Sequence, residues 1–291
     1  MTLALWVCVA DGKPRGTEFS GVVSIADGGA FTLVRRDAVR TAGKGVTVLA
    51  GDMVETGPAA FLAIQVQSGN LAGTLLGIGP STAVYFFPTA EVATVIVVQG
   101  WVKADIKSAA MRITGTRLGI QGRDAVVLLH ADQRADAIFD EHGTATLLLR
   151  DKAATRVGKE TRTDEFLVRE EGSDVVPQPR PSSEFVQGMP IPFRDPLPNI
   201  AAAKLPKPNA PQLVRAVTYA DVESWLALPR DWRAGFIPRF RARLKDPAFF
   251  AAMDAHLALF PEWTEILHPP PPPEPDRPPE GLRADRTPKP H

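Results

Sequence analysis

The chain has 291 residues, with 33 basic and 33 acidic side chains, so its formal charge at pH 7 is zero. A neutral chain has no overall electrostatic attraction to nucleic acid or to an anionic membrane. The single cysteine, Cys8, excludes an internal disulfide framework, and the five histidines do not show zinc-binding spacing. We therefore predict no metal, no other cofactor and no nucleic-acid partner. No apolar run approaches the length of about 18 residues that a membrane span needs.

Residues 1–20 allow two interpretations. Residues 2–10 are apolar and end in a small residue before Asp11. They resemble the tail of a signal peptide whose basic start is missing through a misplaced start codon. They fit a first β-strand equally well. Cys8 is disfavoured as a lipoprotein acceptor because Trp6 and Val7, just before it, are bulky.

Residues 21–170 are predicted to form an all-β domain. Short runs rich in Val, Ile, Leu, Thr and aromatic residues alternate with glycine, and 18 of the 23 glycines lie in the first 150 residues. Residues 27–29, Asp-Gly-Gly, predict a hairpin between strands at 22–25 and 31–34. We expect antiparallel sheets folded as a sandwich, or solenoid-like coils of short strands.

Two motifs stand out within this domain. The first motif is G-D-x-x-E-T-G at residues 51–57, and the second motif is G-T-R-x-x-I at residues 115–120. In this order they resemble the opening and closing signatures of the FecR-like domain family, and the resemblance covers residues 21–149. The residues that carry it, and that we expect to be structural or to form a partner surface, are Gly51, Asp52, Glu55, Thr56, Gly115, Thr116 and Arg117.

The resemblance implies a solenoid-like β domain that works as an extracytoplasmic sensing or scaffold module. The chain departs from the family in two respects. Ser68-Gly69 stands where the family usually has an Asp-Gly turn. The sigma-factor-binding helices and membrane span of iron-uptake FecR regulators are not recognised, so the resemblance does not imply their sigma-regulator role.

The charged residues of the motifs have a structural and a functional interpretation. A catalytic carboxyl pair would face a cleft with its groups about 5–10 Å apart. An Asp in a Gly-Asp turn more commonly accepts a hydrogen bond from its own backbone, and we favour that role for Asp52 over an acid pair with Glu55. Arg117 could pair with Asp52 or Glu55 and tie the two motifs together. His142 is expected to be an exposed residue of a hairpin turn, and no catalytic residue is predicted.

Residues 171–216 are predicted to be a proline-rich extended linker. Ten prolines lie between Pro177 and Pro211, and each removes an N–H donor and restrains the preceding residue, so we expect no regular structure at 172–212. The apolar stretch 185–193 is expected to lie across the chain's own β domain rather than to bind a partner.

Residues 217–268 are predicted to be a helical module, followed by a disordered proline-rich tail at 269–291. Thr218 and Asp221 predict a helix start, and Asp246-Pro247 predicts an N-cap followed by the first helical residue. Apolar residues at helical spacing, interrupted by proline, predict two short helices or one kinked helix. The arginines among them are expected to be solvated rather than to bind an anionic polymer. The spaced apolar residues are Trp225, Leu228, Trp232, Phe236, Phe240 and Leu244.

The sequence thus predicts a mainly β protein, a FecR-like β-solenoid or sandwich of short strands with a small C-terminal all-α module. We expect it to be non-enzymatic, periplasmic or secreted, and to bind an envelope protein or a cell-wall polysaccharide. The cytoplasm is left open as a location. The alternative is a regulatory component of a FecR-type signalling system, and an enzyme of unknown chemistry ranks third.

Overall fold

The protein is mainly β, with short helices towards its C-terminus, as predicted. The computed structural model describes residues 19–151 and 154–270. Within these ranges the strands are β1 (Ser20–Asp27), β2 (Phe31–Arg35), β3 (Ala38–Arg40), β4 (Thr47–Leu49), β5 (Met53–Thr56), β6 (Phe61–Val66), β7 (Leu75–Ile78), β8 (Ala83–Phe87), β9 (Ala93–Ile106), β10 (Met111–Thr114), β11 (Leu118–Ala131), β12 (Ala135–Asp151), β13 (Ala154–Glu160), β14 (Glu165–Glu170), β15 (Val176–Gln178) and β16 (Leu213–Ala216). The helices are α1 (Ser183–Gly188), α2 (Glu223–Leu226), α3 (Arg230–Arg233), α4 (Phe236–Phe240), α5 (Pro247–Ala255) and α6 (Thr264–Leu267). The predictions for residues 1–18 and 271–291 lie outside the described residues.

The strands pack as two layers around one core. The first layer contains β16, β3, β2, β5, β8 and β10, and the second contains β4, β1, β6, β7, β14 and β15. Leu33 and Val54 point into the core from the first layer, and Leu62 and Ile64 point into it from the second. Side chains of a strand alternate between its two faces, so the neighbours of these residues point outward.

Three long strands, β9, β11 and β12, belong to both layers and bend where they pass from one layer to the other. The first half of β9 pairs with β8 and β10, and its second half pairs with β7 and β11. The bend of β9 falls at Gly100, whose φ is +90°. A Cβ at Gly100 would lie 2.3 Å from the Thr82 hydroxyl oxygen, which accepts a hydrogen bond from the Trp101 N–H. This corner therefore requires glycine.

The glycines at 28 and 29 also mark a crossing between layers, and the predicted hairpin there is wrong. β1 pairs with β4 and β6, whereas β2 pairs with β3 and β5. A Cβ at Gly28 would lie 2.1 Å from the main-chain oxygen of Ala59. The Gly-Gly pair thus lets the backbone at residue 28 pack closely against Ala59, and it does not form a hairpin turn between β1 and β2.

His142 does not lie in a hairpin turn, contrary to expectation. It falls within the continuous strand β12, just before Gly143, which bends the strand at a φ of +97°. The Asp-Glu-His-Gly stretch at residues 140–143 therefore marks a second corner between the layers. Asp140 is buried there.

The linker lies on the outer face of the second layer, as predicted. Phe185, Phe193 and Leu197 are buried against this face, which Phe61 and Leu75 help to form. The expectation of no regular structure is wrong in part, because β15 pairs with β14 and α1 forms between Pro181 and Pro190. The eight residues between these prolines keep their N–H donors, and the Ser182 side chain caps the helix by accepting from the Phe185 N–H.

Lys103 anchors this linker to the sheet. Its side chain is 2% exposed, and its Nζ donates to the main-chain oxygens of Phe193 and Asp195 at 2.8 and 3.2 Å. Glu141 provides the counter-charge, with 2.7 Å between Nζ and Oε2. A buried ammonium group is stable only with such partners, so the contact fixes the path of the linker.

The C-terminal helices cover the outer face of the first layer. Trp225, Phe236 and Phe240 are fully buried there against Met53 and Tyr85 of the sheet. The predicted cap at Asp246 and Pro247 is confirmed, because Asp246 Oδ1 accepts from the N–H of Ala248 at 3.0 Å. The helix start predicted at Thr218 is wrong. The Thr218 hydroxyl and N–H donate to Asp221 in a turn, and α2 begins only at Glu223. None of the helices in the described ranges has the length and hydropathy needed to cross a membrane.

Candidate functional site

The first motif is fixed by a buried ion pair. Asp52 is 1% exposed, and Arg35 of β2 donates to both of its carboxylate oxygens, over 2.8 Å from Nε and 2.6 Å from Nη2. Oδ2 also accepts the Leu49 N–H at 2.8 Å, so Asp52 holds the turn that precedes it. A two-pronged guanidinium–carboxylate contact of this kind is strong and directional. The carboxylate is therefore fully engaged within the protein.

The other residues of the first motif serve separate purposes. Gly51 has a φ of +89°, which the turn requires. The Thr56 hydroxyl donates to the Gly79 oxygen at 2.6 Å, which joins β5 to the turn after β7. Glu55 is half-buried on the outer face, where burial, and secondly the negative charge of Asp221, raises its pKa. Glu55 and Asp52 therefore do not form a catalytic pair.

The second motif is built around Asp136. This residue is fully buried and accepts hydrogen bonds from the N–H groups of Arg117 and Leu118, at 2.6 and 2.9 Å. Burial raises its pKa, and these hydrogen bonds oppose the rise. A Cβ at Gly115 would lie 2.4 Å from the Asp136 carboxylate, so only glycine fits. Thr116 lies beside the Arg117 guanidinium, with 3.3 Å between Oγ1 and Nη1.

The hypothesis that Arg117 ties the two motifs together is wrong. Its guanidinium group donates instead to the main-chain oxygens of Asp132 and Gln133, and one nitrogen lies 3.5 Å from Asp136. The strand register runs Met53–Tyr85–Ile96–Thr114 across β5, β8, β9 and β10. Three strand spacings amount to roughly 14 Å, which is too far for a direct contact. Each motif thus has its own Arg–Asp pair.

The C-terminal helices contact both motifs from outside. Arg239 of α4 donates to the main-chain oxygens of Gly51, Arg36 and Val34, at 2.7, 2.6 and 3.1 Å. Near the second motif, Arg150 forms an ion pair with Asp231, and its guanidinium carbon lies 3.8 Å from the centre of the Trp232 ring. The motif region is therefore largely covered by the chain itself.

A polar cleft with a volume of about 710 Å³ lies beside the second motif. Its walls come from the β13–β15 region and from the segment around α3. Among its charged groups, Arg150 pairs with Asp231, Arg169 with Asp151, and Arg233 with Glu262. Three of the arginines that line the cleft are thus already paired with a carboxylate. Its lining residues from the β domain include Thr116, Arg117, Arg150, Asp151, Arg156 and Arg169.

Among the described residues, the sheet has a free edge at β16. This strand ends the first layer and, of the strands in residues 19–151 and 154–270, pairs only with β3. Its two large apolar side chains are Leu213, 63% exposed, and Val214, 58% exposed. An unprotected edge offers main-chain N–H and C=O groups to an incoming strand, and exposed apolar side chains add contact area. β16 is therefore suited to bind another chain.

Sequence reasoning missed the partners of the motif residues and this edge. Arg35, Asp136 and Arg239 lie in stretches with no motif, and their partners are distant in sequence. Leu213 and Val214 follow three prolines at 206, 208 and 211, and were included in the linker. The available signal was a pair of adjacent apolar residues that begins two positions after the last of these prolines.

Comparison with known proteins gives a distant structural similarity. No protein-family model and no curated protein matches the sequence. Two solved structures of a candidate anti-sigma factor from Parabacteroides distasonis ATCC 8503 are similar to part of the fold, each at 10% sequence identity. The TM-scores are 0.36, over 46% of this chain and 62% of that one, and 0.30, over 55% and 66%. The match thus spans less than two thirds of either solved chain.

Among the described residues, no three His, Cys, Asp or Glu side chains come together as a metal-binding group. The buried acids Asp52 and Asp136 accept hydrogen bonds from arginine and from main-chain N–H groups. Such acids position turns and strands. The arrangement at the motifs therefore supplies rigidity, and the cleft and the edge supply accessible surface.

Proposed function

We propose that this chain is a non-catalytic regulatory protein of the FecR type, and that it acts by binding another protein. The resemblance of the two motifs to FecR-like signatures supports a sensing or regulatory module, and this support does not extend to binding a sigma factor. The observation that carries the proposal is the free edge of β16, where Leu213 and Val214 are both more than half exposed.

The motif residues form the framework in this proposal. Asp52 and Asp136 are 1% and 0% exposed and bind their own arginines. Arg239 and the helices cover the intervening face. A partner consequently meets the edge of the first layer rather than the motifs themselves.

Strand addition suits this edge physically. An incoming extended segment can pair with outward main-chain N–H and C=O groups of β16. The strand is held in place for this, because the Thr41 N–H donates to the Gln212 oxygen at 2.8 Å and the Val217 N–H donates to the Asp37 oxygen at 3.0 Å. These two bonds fix the strand at both ends.

We further propose a periplasmic or secreted location, where an envelope protein is the expected partner. A cell-wall polysaccharide is the alternative ligand, and its place would be the cleft beside Arg117 and Arg169. The two ligands thus predict contact at different surfaces of the same molecule.

The test is site-specific photo-crosslinking in cells of the source organism. A photoreactive amino acid replaces Val214, and the matched control carries it at Ile191, which is 74% exposed on the linker. We expect one identified protein to be crosslinked from position 214 and not from 191, through an extended segment of that protein, and in the envelope fraction. Equal crosslinking from both positions, or recovery only in the cytoplasm, would contradict the proposal.

A further inference from the structure

We infer that β16 binds an extended peptide segment with an apolar centre and acidic flanks. This inference rests on the proposed function, because it names the chemistry of the segment that adds to the same edge. It follows from the distribution of charge around β16 rather than from the edge alone.

The chain is neutral overall, but the stretches beside the edge are basic. Residues 36–44 and 204–215 contain Asp37 as their single acidic residue. An excess of one sign at a surface attracts the opposite sign and steers association. The basic residues of these stretches are Arg36, Arg40, Lys44, Lys204, Lys207 and Arg215.

The fold brings these two stretches together. Leu213 of β16 is paired with Arg40 of β3. Further back, the Asn209 N–H donates to the Gly45 oxygen at 2.9 Å, and a Cβ at Gly45 would lie 3.2 Å from the Lys207 oxygen. Residues 204–216 therefore run alongside residues 38–46, and their charges share one edge.

Most of this charge is available to a partner. Arg215 is neutralised by Asp221, with 2.7 Å between Nη2 and Oδ1. Lys44, Lys204 and Lys207 are all exposed. The edge consequently combines an apolar centre at Leu213 and Val214 with basic surroundings.

An acidic-flanked segment fits this edge better than a second copy of the chain does. In an antiparallel pair of β16 strands, the lysines of one copy would face the end of the other copy where Asp221 is already paired with Arg215. A second copy therefore offers these lysines no free counter-charge, whereas a foreign segment with acidic residues beside its apolar centre does. Its binding should weaken as salt rises, because the exposed charges are screened.

The test uses three fluorescein-labelled peptides and the full chain, with binding followed by fluorescence anisotropy. The peptides are EDVTVTVDE, its charge-reversed form KKVTVTVKK, and EDVTPTVDE, which keeps the charge but cannot pair as a regular strand. We expect wild type to bind the first peptide at least tenfold more tightly than either of the others.

Three variants separate charge from strand pairing. K204E/K207E should weaken EDVTVTVDE binding at least tenfold and improve KKVTVTVKK binding. L213S/V214S should weaken EDVTVTVDE binding while leaving the surrounding charge intact. Arg123→Glu, an exposed arginine on β11, is the matched control and should change neither. Circular dichroism checks that each variant is folded.

Several results would overturn the inference: equal binding of the acidic and charge-reversed peptides, equal binding of the proline peptide, or concentration-dependent dimerisation that L213S/V214S abolishes. These results are distinguishable from failure of the proposed function. A partner crosslinked at position 214 without preference for the acidic peptide leaves the function standing and removes the inference. Absence of both crosslinking and peptide binding removes both.

Discussion

The guanidinium group of Arg239 donates from Nη1 to the main-chain oxygen of Gly51 over 2.7 Å, and so joins the C-terminal helices to the first motif. The same group also reaches the oxygens of Arg36 and Val34. Three carbonyl groups at the end of the first layer thus share one cation. The turn that resembles a family signature is also the place where the helices are attached.

Arg239→Gln should destabilise the protein by about 2–4 kcal/mol, because it removes charge-assisted hydrogen bonds and leaves partly buried carbonyl groups without a donor. Urea unfolding followed by tryptophan fluorescence measures the change. Arg241→Gln is the control, since Arg241 is exposed, and should change the free energy of unfolding by less than about 0.5 kcal/mol. Equal effects of the two substitutions would show that the Arg239 contacts contribute little.

The Arg35–Asp52 pair should show energetic coupling in a double-mutant cycle. Removing one partner leaves a buried charge unpaired, so Arg35→Ala and Asp52→Ala should be non-additive by about 1–3 kcal/mol. The losses of unfolding free energy caused by Arg117→Ala and Asp52→Ala should instead be additive to within about 0.5 kcal/mol, since each motif has its own Arg–Asp pair. Unfolding free energies of the single and double variants give the coupling energy of each pair. Strong coupling between Arg117 and Asp52 would contradict the observed geometry.

Gly115→Ala should destabilise the protein by about 1–3 kcal/mol, because the added methyl group meets the Asp136 carboxylate and the buried site has no room to yield. Gly43→Ala is the matched control, since a Cβ at Gly43 has no atom within 4 Å. It should leave stability unchanged or raise it slightly, because alanine restricts the unfolded chain. Thermal unfolding of both variants gives the comparison, and a neutral Gly115→Ala would argue against the close approach.

Asp140 should make the protein less stable as the pH rises from about 4 to about 6. Burial raises the pKa of this carboxyl from 3.8 to about 6, even though the Thr161 hydroxyl donates to it. The folded state therefore binds more protons than the unfolded state in this window, and stability falls with rising pH. Urea midpoints between pH 4 and pH 7 should show a shallower fall for Asp140→Asn than for wild type. Parallel pH profiles would mean that Asp140 titrates normally.

The sequence predicts features that depend on neighbouring residues better than those that depend on distant ones. Asp246 caps a helix whose N–H groups lie two and three residues away, so the signal is local and the prediction was confirmed. The Asp-Gly-Gly stretch at 27–29 also looked local, but the layer that each flanking strand joins is decided by β4, β5 and β6. Pattern alone could not show that the two strands separate.

The partners of the motif residues could not be derived from sequence for the same reason. Arg35 lies 17 residues from Asp52, and Arg239 lies 188 residues from Gly51. Nothing in composition or spacing selects these arginines among the others. The β character of the domain was predictable because alternation of apolar and polar residues is repeated in many strands.

The most direct test of the account is hydrogen–deuterium exchange of the full chain with its crosslinked partner at saturation. We predict that protection appears in residues 212–217, because an added strand occupies the outward N–H groups of β16. Residues lining the cleft, including Arg117 and Arg233, should exchange as in the free protein. Protection of the cleft with β16 unchanged would contradict the account and assign binding to the other surface.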